Sequence, residues 1–368
     1  MKVFLVITKG EIGGAQSFVL SLAKGLKERG YEVSVAFGDG DFLVAILPKY
    51  GINVFRLKSL KKGVSPFRAI SFVTELKELI DREQFDVVHL NSSNALFGAI
   101  SARLARKRPK TVFTVHGLSV LDRNYRASYL AKAVYRIFFK IFFRMIGQVV
   151  FVSQYNLEEA NRQKIVKSGD IVYNGLDFSE GYFFSQEEAR RQLSIVVGQD
   201  LSDCYLVGSV GRLAYPKNYE FLISAFPKIL DIHPDAKGII IGEGPERGKY
   251  EELIKINDIL GRFFLAGSIE NAGRLMRAFD LFVLPSIYEG LSISLIEAVS
   301  AGISAIASDV GGNREVIGGN NCFRLGDEAS FLANMEKVKA AGGAARFKAE
   351  AMVDRYCSIY LALIEKKD

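Results

Sequence analysis

Leu281-Phe282-Val283-Leu284-Pro285-Ser286-Ile287-Tyr288-Glu289-Gly290-Leu291-Ser292-Ile293-Ser294-Leu295-Ile296-Glu297-Ala298 sets two carboxylates eight positions apart across a strand-to-helix junction. Leu281–Leu284 reads as a buried parallel strand, Pro285 ends it, and Glu289-Gly290 makes the turn. Leu291, Leu295, Ile296 and Val299 then carry helical periodicity. Glu289 falls in the loop where a helix N-terminus turns free N–H groups toward an anion, and Glu297 is expected about two turns inside. One carboxylate can bind hydroxyls near a phosphate, the other hydroxyls further along the same ligand. Taken alone, the stretch also fits a surface helix with solvated glutamates.

Outward from this junction the pattern repeats through both halves. Val3–Ile7, Val33–Phe37, Val54–Leu57, Val87–Leu90, Val112–Val115 and Val149–Val152 are candidate strands in the first half. Tyr205–Val210, Gly238–Ile241, Phe263–Leu265, Leu281–Leu284 and Ile303–Ala307 are their counterparts in the second. Amphipathic segments alternate with them, such as Phe18, Val19, Leu22 and Leu26 on one helix face. Alternating strands and helices over 368 residues give an α/β protein of two doubly wound domains. We place the first at 1–176, a linker at 177–203 in which Glu187–Leu193 is a short helix, and the second domain at 204–349. A terminal helix over 350–368, with Met352, Tyr356, Tyr360 and Ile364 at four-residue steps, is expected to pack back on the first domain.

Charge divides the halves. Residues 1–170 carry 27 Lys and Arg against 14 Asp and Glu, a net +13, whereas the remainder is −6. A basic half attracts nucleic acid, anionic lipid or a phosphorylated acceptor alike. Cys204, Cys322 and Cys357 are few, odd in number and widely spaced, so neither a disulfide framework nor a zinc site is expected. Lys9 and Glu11 close the first apolar run too early for a signal peptide, which leads us to expect a cytoplasmic protein.

Glycines and cations mark the other strand ends. Gly13 and Gly14 follow the first strand and open a helix, allowing close backbone approach to a ligand, though their spacing is not the dinucleotide fingerprint. Gly211-Arg212-Leu213 and Lys217 follow the first strand of the second half. Arg212, a planar fork, and Lys217, a point charge, can reach one diphosphate; singly, each is also an ordinary surface charge. Gly242-Glu243-Gly244-Pro245 ends the next strand on the same expected edge. His116 ends an apolar run in the first half and suits either sugar binding or structural hydrogen bonding; His89 is its competitor, and His233 is expected to be solvated.

In this order these residues resemble glycosyltransferase family 4, retaining enzymes of the GT-B fold, over nearly the whole chain. The shared parts are Glu289-x7-Glu297, Gly211-Arg212-Leu213 with Lys217-Asn218, Gly242-Glu243-Gly244-Pro245, Gly13-Gly14, His116-Gly117, Asn174-Gly175-Leu176-Asp177, and Ser308-Asp309-Val310-Gly311-Gly312 with Glu315. The resemblance implies two Rossmann-like domains facing a central cleft. It implies Arg212 and Lys217 on the donor diphosphate, Glu289 on hydroxyls of the transferred sugar, Glu297 on the ribose, and His116 on the sugar or acceptor. It also places Gly14 and the amides of Gly290, Leu291 and Ser292 against phosphate or sugar, and Gly267, Ser268 and Ile269 at the base. Ser292 stands where the family often has Gly or Pro. No metal or other cofactor is implied. The expected activity is transfer of a hexose or N-acetylhexosamine from a nucleotide sugar, UDP-linked by preference, to a lipid-linked saccharide in surface polysaccharide or glycan biosynthesis.

Residues 129–146 add a feature of their own. Lys132, Arg136, Lys140 and Arg144 recur every four residues on an otherwise apolar and aromatic helix, with Arg103–Lys110 and Lys58–Lys62 reinforcing the charge. Four central charges exclude a transmembrane span, but a basic stripe flanked by aromatics can lie in an anionic interface. The same helix also fits packing inside a domain with its cations in water. We expect the first half to dock on the inner face of the cell membrane and receive the acceptor there. A non-hydrolysing nucleotide-sugar epimerase and a basic nucleic-acid-binding protein are the alternatives; no recognised nucleic-acid module is present, so nucleic acid is not an expected partner.

Overall fold

Short apolar runs become parallel strands in both halves of the chain. The computed structural model describes residues 1–11, 13–61, 63, 65–338 and 344–366. Ile12 of the glycine loop, Lys62 of the basic run and the last two positions of the expected terminal helix lie outside them. The chain divides into one unit of residues 1–177 and 346–368 and a second of residues 178–345.

The first unit holds β1 (Lys2–Lys9), β2 (Glu32–Asp39), β3 (Asn53–Arg56), β4 (Val87–Leu90), β5 (Lys110–Val115), β6 (Gln148–Phe151) and β7 (Asp170–Ile171). They form a parallel sheet in the order β3-β2-β1-β4-β5-β6-β7. Its helices are α1 (Gly14–Glu28), α2 (Phe42–Ile46), α3 (Pro66–Glu83), α4 (Gly98–Leu104), α5 (Tyr129–Phe143) and α6 (Gln154–Arg162). Phe18, Val19, Leu22 and Leu26 of α1 are fully buried, as the spacing predicts. One face of the sheet is covered by α1 with the returning C-terminal helix, the other by α3, α4 and α5.

The second unit holds α7 (Gln186–Val197), β8 (Leu206–Val210), α8 (Tyr219–Ile232), β9 (Lys237–Ile241), α9 (Arg247–Ile256), β10 (Phe263–Gly267), β11 (Leu281–Leu284), α10 (Ile293–Ala301), β12 (Ser304–Ser308), α11 (Asn313–Ile317), β13 (Cys322–Phe323) and α12 (Glu328–Lys337). Its parallel sheet runs β10-β9-β8-β11-β12-β13. The stretch 177–203 is therefore more than a linker. Ala189 and Leu193 of α7 are fully buried, and Arg190 bridges to Asp280 at 2.6 Å, which anchors the helix to this unit.

The chain returns to the first unit through α13 (Ala349–Glu365). Leu176 pairs with Lys348, and a side chain at Gly175 would collide with the Lys348 carbonyl, so the Asn174–Asp177 motif packs against the returning strand of chain. His89, fully buried on β4, bonds Tyr360 Oη through Nδ1 and Thr114 Oγ1 through Nε2, both at 2.7 Å; Thr114 in turn bonds Tyr356 Oη at 2.7 Å. Burial, with His116 nearby, pushes the His89 pKa down to about 3, so the ring is a neutral tether for α13. His233, expected in solvent, is half-buried and stacks on Tyr205 with centroids 4.0 Å apart.

Candidate active site

Both sheets reverse their strand order beside their first strand, and open α/β sheets bind ligands outside the carboxyl ends of the strands at that reversal. In the second unit the reversal lies between β8 and β11. The loops leaving these two strands carry Arg212 with Lys217 and Glu289. They are joined directly: Ile287 donates its N–H to Pro216 O at 2.8 Å, and Asn218 Nδ2 donates to Pro285 O at 3.0 Å.

Lys217 Nζ lies 2.7 Å from Glu289 Oε1, with side-chain exposures of 22% and 14%, so the pair is screened from bulk water yet reachable from it. Ser286 Oγ donates to the same Glu289 oxygen at 2.7 Å. Ser286 is not marked in the sequence, because a hydroxyl three residues before a turn carries no periodic signal. Arg212 is exposed, and its guanidinium has no hydrogen bond or ion pair among the described residues. Among the described residues the site thus presents Arg212 as a free cation and Lys217 as a cation balanced by a carboxylate.

Neighbouring strand ends brace this arrangement. Gly211 donates to Ile241 O at 3.0 Å and Leu213 to Glu243 O at 2.9 Å, which binds the two glycine-bearing loops together. Gly242, at φ +150°, lies so close to the Gly211 carbonyl that a β-carbon would overlap it. Gly242 also donates to Gly267 O at 2.8 Å, placing Gly267, Ser268 and Ile269 on the same sheet edge. Gly311, at φ +55°, backs onto the Glu289 carbonyl in the same way, and Gly312 donates to Gly290 O at 2.9 Å. The Ser308–Gly312 motif therefore holds the Glu289-Gly290 turn.

Ser292 is the N-cap of α10, its Oγ accepting from Leu295 N–H, so the helix starts after Leu291 and Glu297 lies only about one turn in. Glu297 has no hydrogen-bond partner among the described residues. Burial pushes its carboxyl from 4.5 up to about 7. Gly273 faces it, where a β-carbon would strike Oε1, and Tyr182 Oη adjoins. Tyr182 is pushed up to about 12 by burial first and by the Glu297 charge second. Neither Gly273 nor Tyr182 carries a motif that sequence reasoning could have used.

A carboxyl raised on folding makes stability fall as pH rises from about 4.5 to about 7, because the folded state holds the proton longer. Glu297→Gln is accordingly expected to raise Tm by roughly 2–5 °C at pH 8 and to leave it unchanged below pH 5, by calorimetry. An equal shift at both pH values would contradict the assignment.

In the first unit, α1 begins at Gly14 with Gly13 as its cap residue, and Gln16 Nε2 folds back to Lys9 O at 2.9 Å. His116 follows β5 and packs edge-on against Phe18 of α1, with centroids 4.7 Å apart. Burial holds its pKa down at about 4, and its Nε2 is buried without a hydrogen-bond partner. A neutral imidazole with an unused ring nitrogen can exchange a hydrogen bond with a hydroxyl.

The expected basic stripe on α5 is only partly a surface feature. Lys132 Nζ donates to Asp122 O at 3.0 Å and Arg136 Nε to Gln163 Oε1 at 3.0 Å, while Lys140 and Arg144 are exposed. Of the aromatics, Phe139, Phe142 and Phe143 are buried against the sheet, because the largest apolar rings gain most from leaving water, whereas Tyr129 at the start of the helix is exposed. Among the described residues no helix is long and apolar enough to cross a membrane.

Residues 12–180 match the family model described as Glycosyltransferase Family 4, and residues 197–340 that described as Glycosyl transferases group 1. The chain is 26% identical over 294 residues to the Escherichia coli UDP-Gal:alpha-D-GlcNAc-diphosphoundecaprenol alpha-1,3-galactosyltransferase, covering 78% of this chain and 72% of that one. It is 23% identical over 368 residues to the Campylobacter jejuni N,N'-diacetylbacillosaminyl-diphospho-undecaprenol alpha-1,3-N-acetylgalactosaminyltransferase, covering 95% and 96%. The crystal structure of Anabaena HepE in complex with UDP-glucose is similar in fold, with a TM-score of 0.80 at 19% identity over 98% of this chain and 100% of that one. The paired sheets, the loops at their strand ends and these matches agree: the chain belongs to the family 4, group 1 glycosyltransferases of the GT-B fold.

Proposed function

We propose that the protein is a retaining glycosyltransferase that moves a hexose or N-acetylhexosamine from a UDP-linked donor to a lipid-linked saccharide on the inner face of the cell membrane, in surface polysaccharide or glycan biosynthesis. The observation that carries this proposal is the Lys217–Glu289 pair beside free Arg212 at the strand-order reversal. Two cations suit a diphosphate, and a carboxylate fixed beside them suits the hydroxyls of the attached sugar. The relatives that act on diphosphoundecaprenol-linked saccharides support the acceptor class, and HepE, with UDP-glucose bound, supports the donor class.

In this proposal negative charge developing on the leaving diphosphate is met by Arg212, Lys217 and nearby amides, with no metal required. The acceptor hydroxyl attacks the face from which the diphosphate departs, and a phosphate oxygen takes its proton. Glu297 holds the ribose, and His116 meets the sugar or acceptor.

Incubation of UDP-linked hexoses and N-acetylhexosamines with a lipid-linked saccharide diphosphate, in the presence of EDTA, tests these points together. The expected result is transfer that persists in EDTA and a product whose anomeric coupling by NMR matches the donor. Inversion would overturn the stereochemistry, loss of transfer in EDTA the metal-free step, and donor conversion without acceptor the transferase itself.

A further inference from the structure

Helix α5 is apolar on two opposite faces. Its inner face packs Phe139, Phe142 and Phe143 into the core, as described above. Its outer face carries Leu130, Val134, Ile137 and Ile141, which follow one another at three- and four-residue steps and so form one row. They are between 52% and 73% exposed. Single exposed aliphatic side chains are ordinary, but four in a continuous row on one helix are a surface awaiting a partner.

The charge around the row says which partner. Lys140 and Arg144 stand three residues beyond Ile137 and Ile141 and so flank the row; neither makes a side-chain ion pair among the described residues. Arg103 Nη2 reaches Arg144 O at 3.5 Å, which brings the end of α4, with exposed Leu104, beside the end of α5. From Arg103 to Arg144 the chain carries eleven Lys and Arg and a single acid, Asp122, which is buried. An aliphatic row has nothing to offer a nucleic acid, and a positive rim repels a second copy of itself. Apolar groups bordered by cations fit an anionic bilayer, with acyl chains beneath and phosphates at the side.

We infer that α5 lies in the plane of an anionic bilayer with Leu130, Val134, Ile137 and Ile141 inserted at the acyl boundary and Lys140 and Arg144 at the headgroups. This rests on the membrane part of the proposed function and specifies the element and the face that make the contact. Lys132 of the same helix holds the carbonyl of Asp122, in the loop that leads from His116 to α5. A helix set in the bilayer thereby steadies the chain that follows a candidate sugar-binding histidine.

The chain contains no tryptophan, so Ile137→Trp supplies a sole reporter, and Leu361→Trp on the exposed side of α13 supplies a control. Each full-length variant would be mixed with phosphatidylglycerol/phosphatidylcholine vesicles and followed by cosedimentation, emission wavelength and quenching by brominated lipid. The expected result is sedimentation with a blue shift and quenching for Ile137→Trp but not for Leu361→Trp. Lys140→Gln with Arg144→Gln should weaken vesicle binding about thirtyfold. Sedimentation that leaves the Ile137→Trp reporter in water would overturn the inference while the membrane reading stands. No sedimentation, with transfer to a lipid-free saccharide intact, would remove both and leave the transferase. A concentration-dependent blue shift without vesicles would assign the row to self-association instead.

Discussion

Lys217→Ala is expected to lower kcat for sugar transfer by roughly 10²- to 10³-fold, the range for removing one preorganised charge from a developing anion. In the ligand-free protein the Lys217 charge is balanced by Glu289 at 2.7 Å. A diphosphate entering beside Arg212 brings a second anion to the same ammonium, and that contact strengthens as the bond to the sugar breaks. The donor in its ground state loses less, so KM should rise only a few-fold. Lys217→Arg should recover only part of the rate: the guanidinium is larger and planar, and Glu289, itself fixed by Ser286, holds a point charge. Arg212→Ala should cost less, because its side chain is exposed and the solvent already screens it. A kcat for Lys217→Ala within a few-fold of the parent, about 1 kcal/mol or less, would show that the lysine serves only to neutralise Glu289.

How much of this was legible beforehand depends on whether a feature is carried by local pattern or by distant packing. The apolar runs Val87–Leu90 and Leu281–Leu284 coincide with β4 and β11 to the residue, because both faces of a central parallel strand are apolar. The strand β1 runs on to Lys2 and Lys9, since its register with Glu32 and Asp39 continues past the apolar run. The two-residue strands β7 and β13 carry no periodicity at all and are defined only by partners, Asp170 with Val150 and Cys322 with Ala307. Glu289, Glu297, Arg212 and Lys217 were visible by residue type and spacing. Gly273 and Tyr182 beside Glu297 were not, because they arrive from segments 24 and 115 residues away. On α5 the composition was legible but its orientation was not. Aromatic and aliphatic rows are equally apolar in sequence, and only packing against the sheet decides which turns outward.

Glu289→Ala is expected to slow transfer by about 10²-fold or more with KM changed only a few-fold, whereas Glu297→Ala should chiefly raise KM for the donor. The difference follows from position. Glu289 sits at the turn, fixed by Ser286 and Lys217 and backed by Gly311, so its free oxygen can tighten on sugar hydroxyls as the ring flattens toward the transition state. Glu297 lies a turn into α10 beside Gly273 and Tyr182, where burial alone, with no neighbouring cation among the described residues, sets its proton affinity. Removing the Glu289 carboxylate also leaves Lys217 without its counter-charge, and the freed ammonium should bind the diphosphate ground state more firmly. That gain offsets lost sugar contacts in KM and does nothing for kcat. Because lysine and carboxylate act as one unit, the double variant Lys217→Ala/Glu289→Ala should be little slower than the worse single variant, rather than slower by the product of the two. Multiplicative losses would mean that the two side chains serve separate steps, and equal kcat and KM effects from Glu289→Ala and Glu297→Ala would dissolve the division of labour between them.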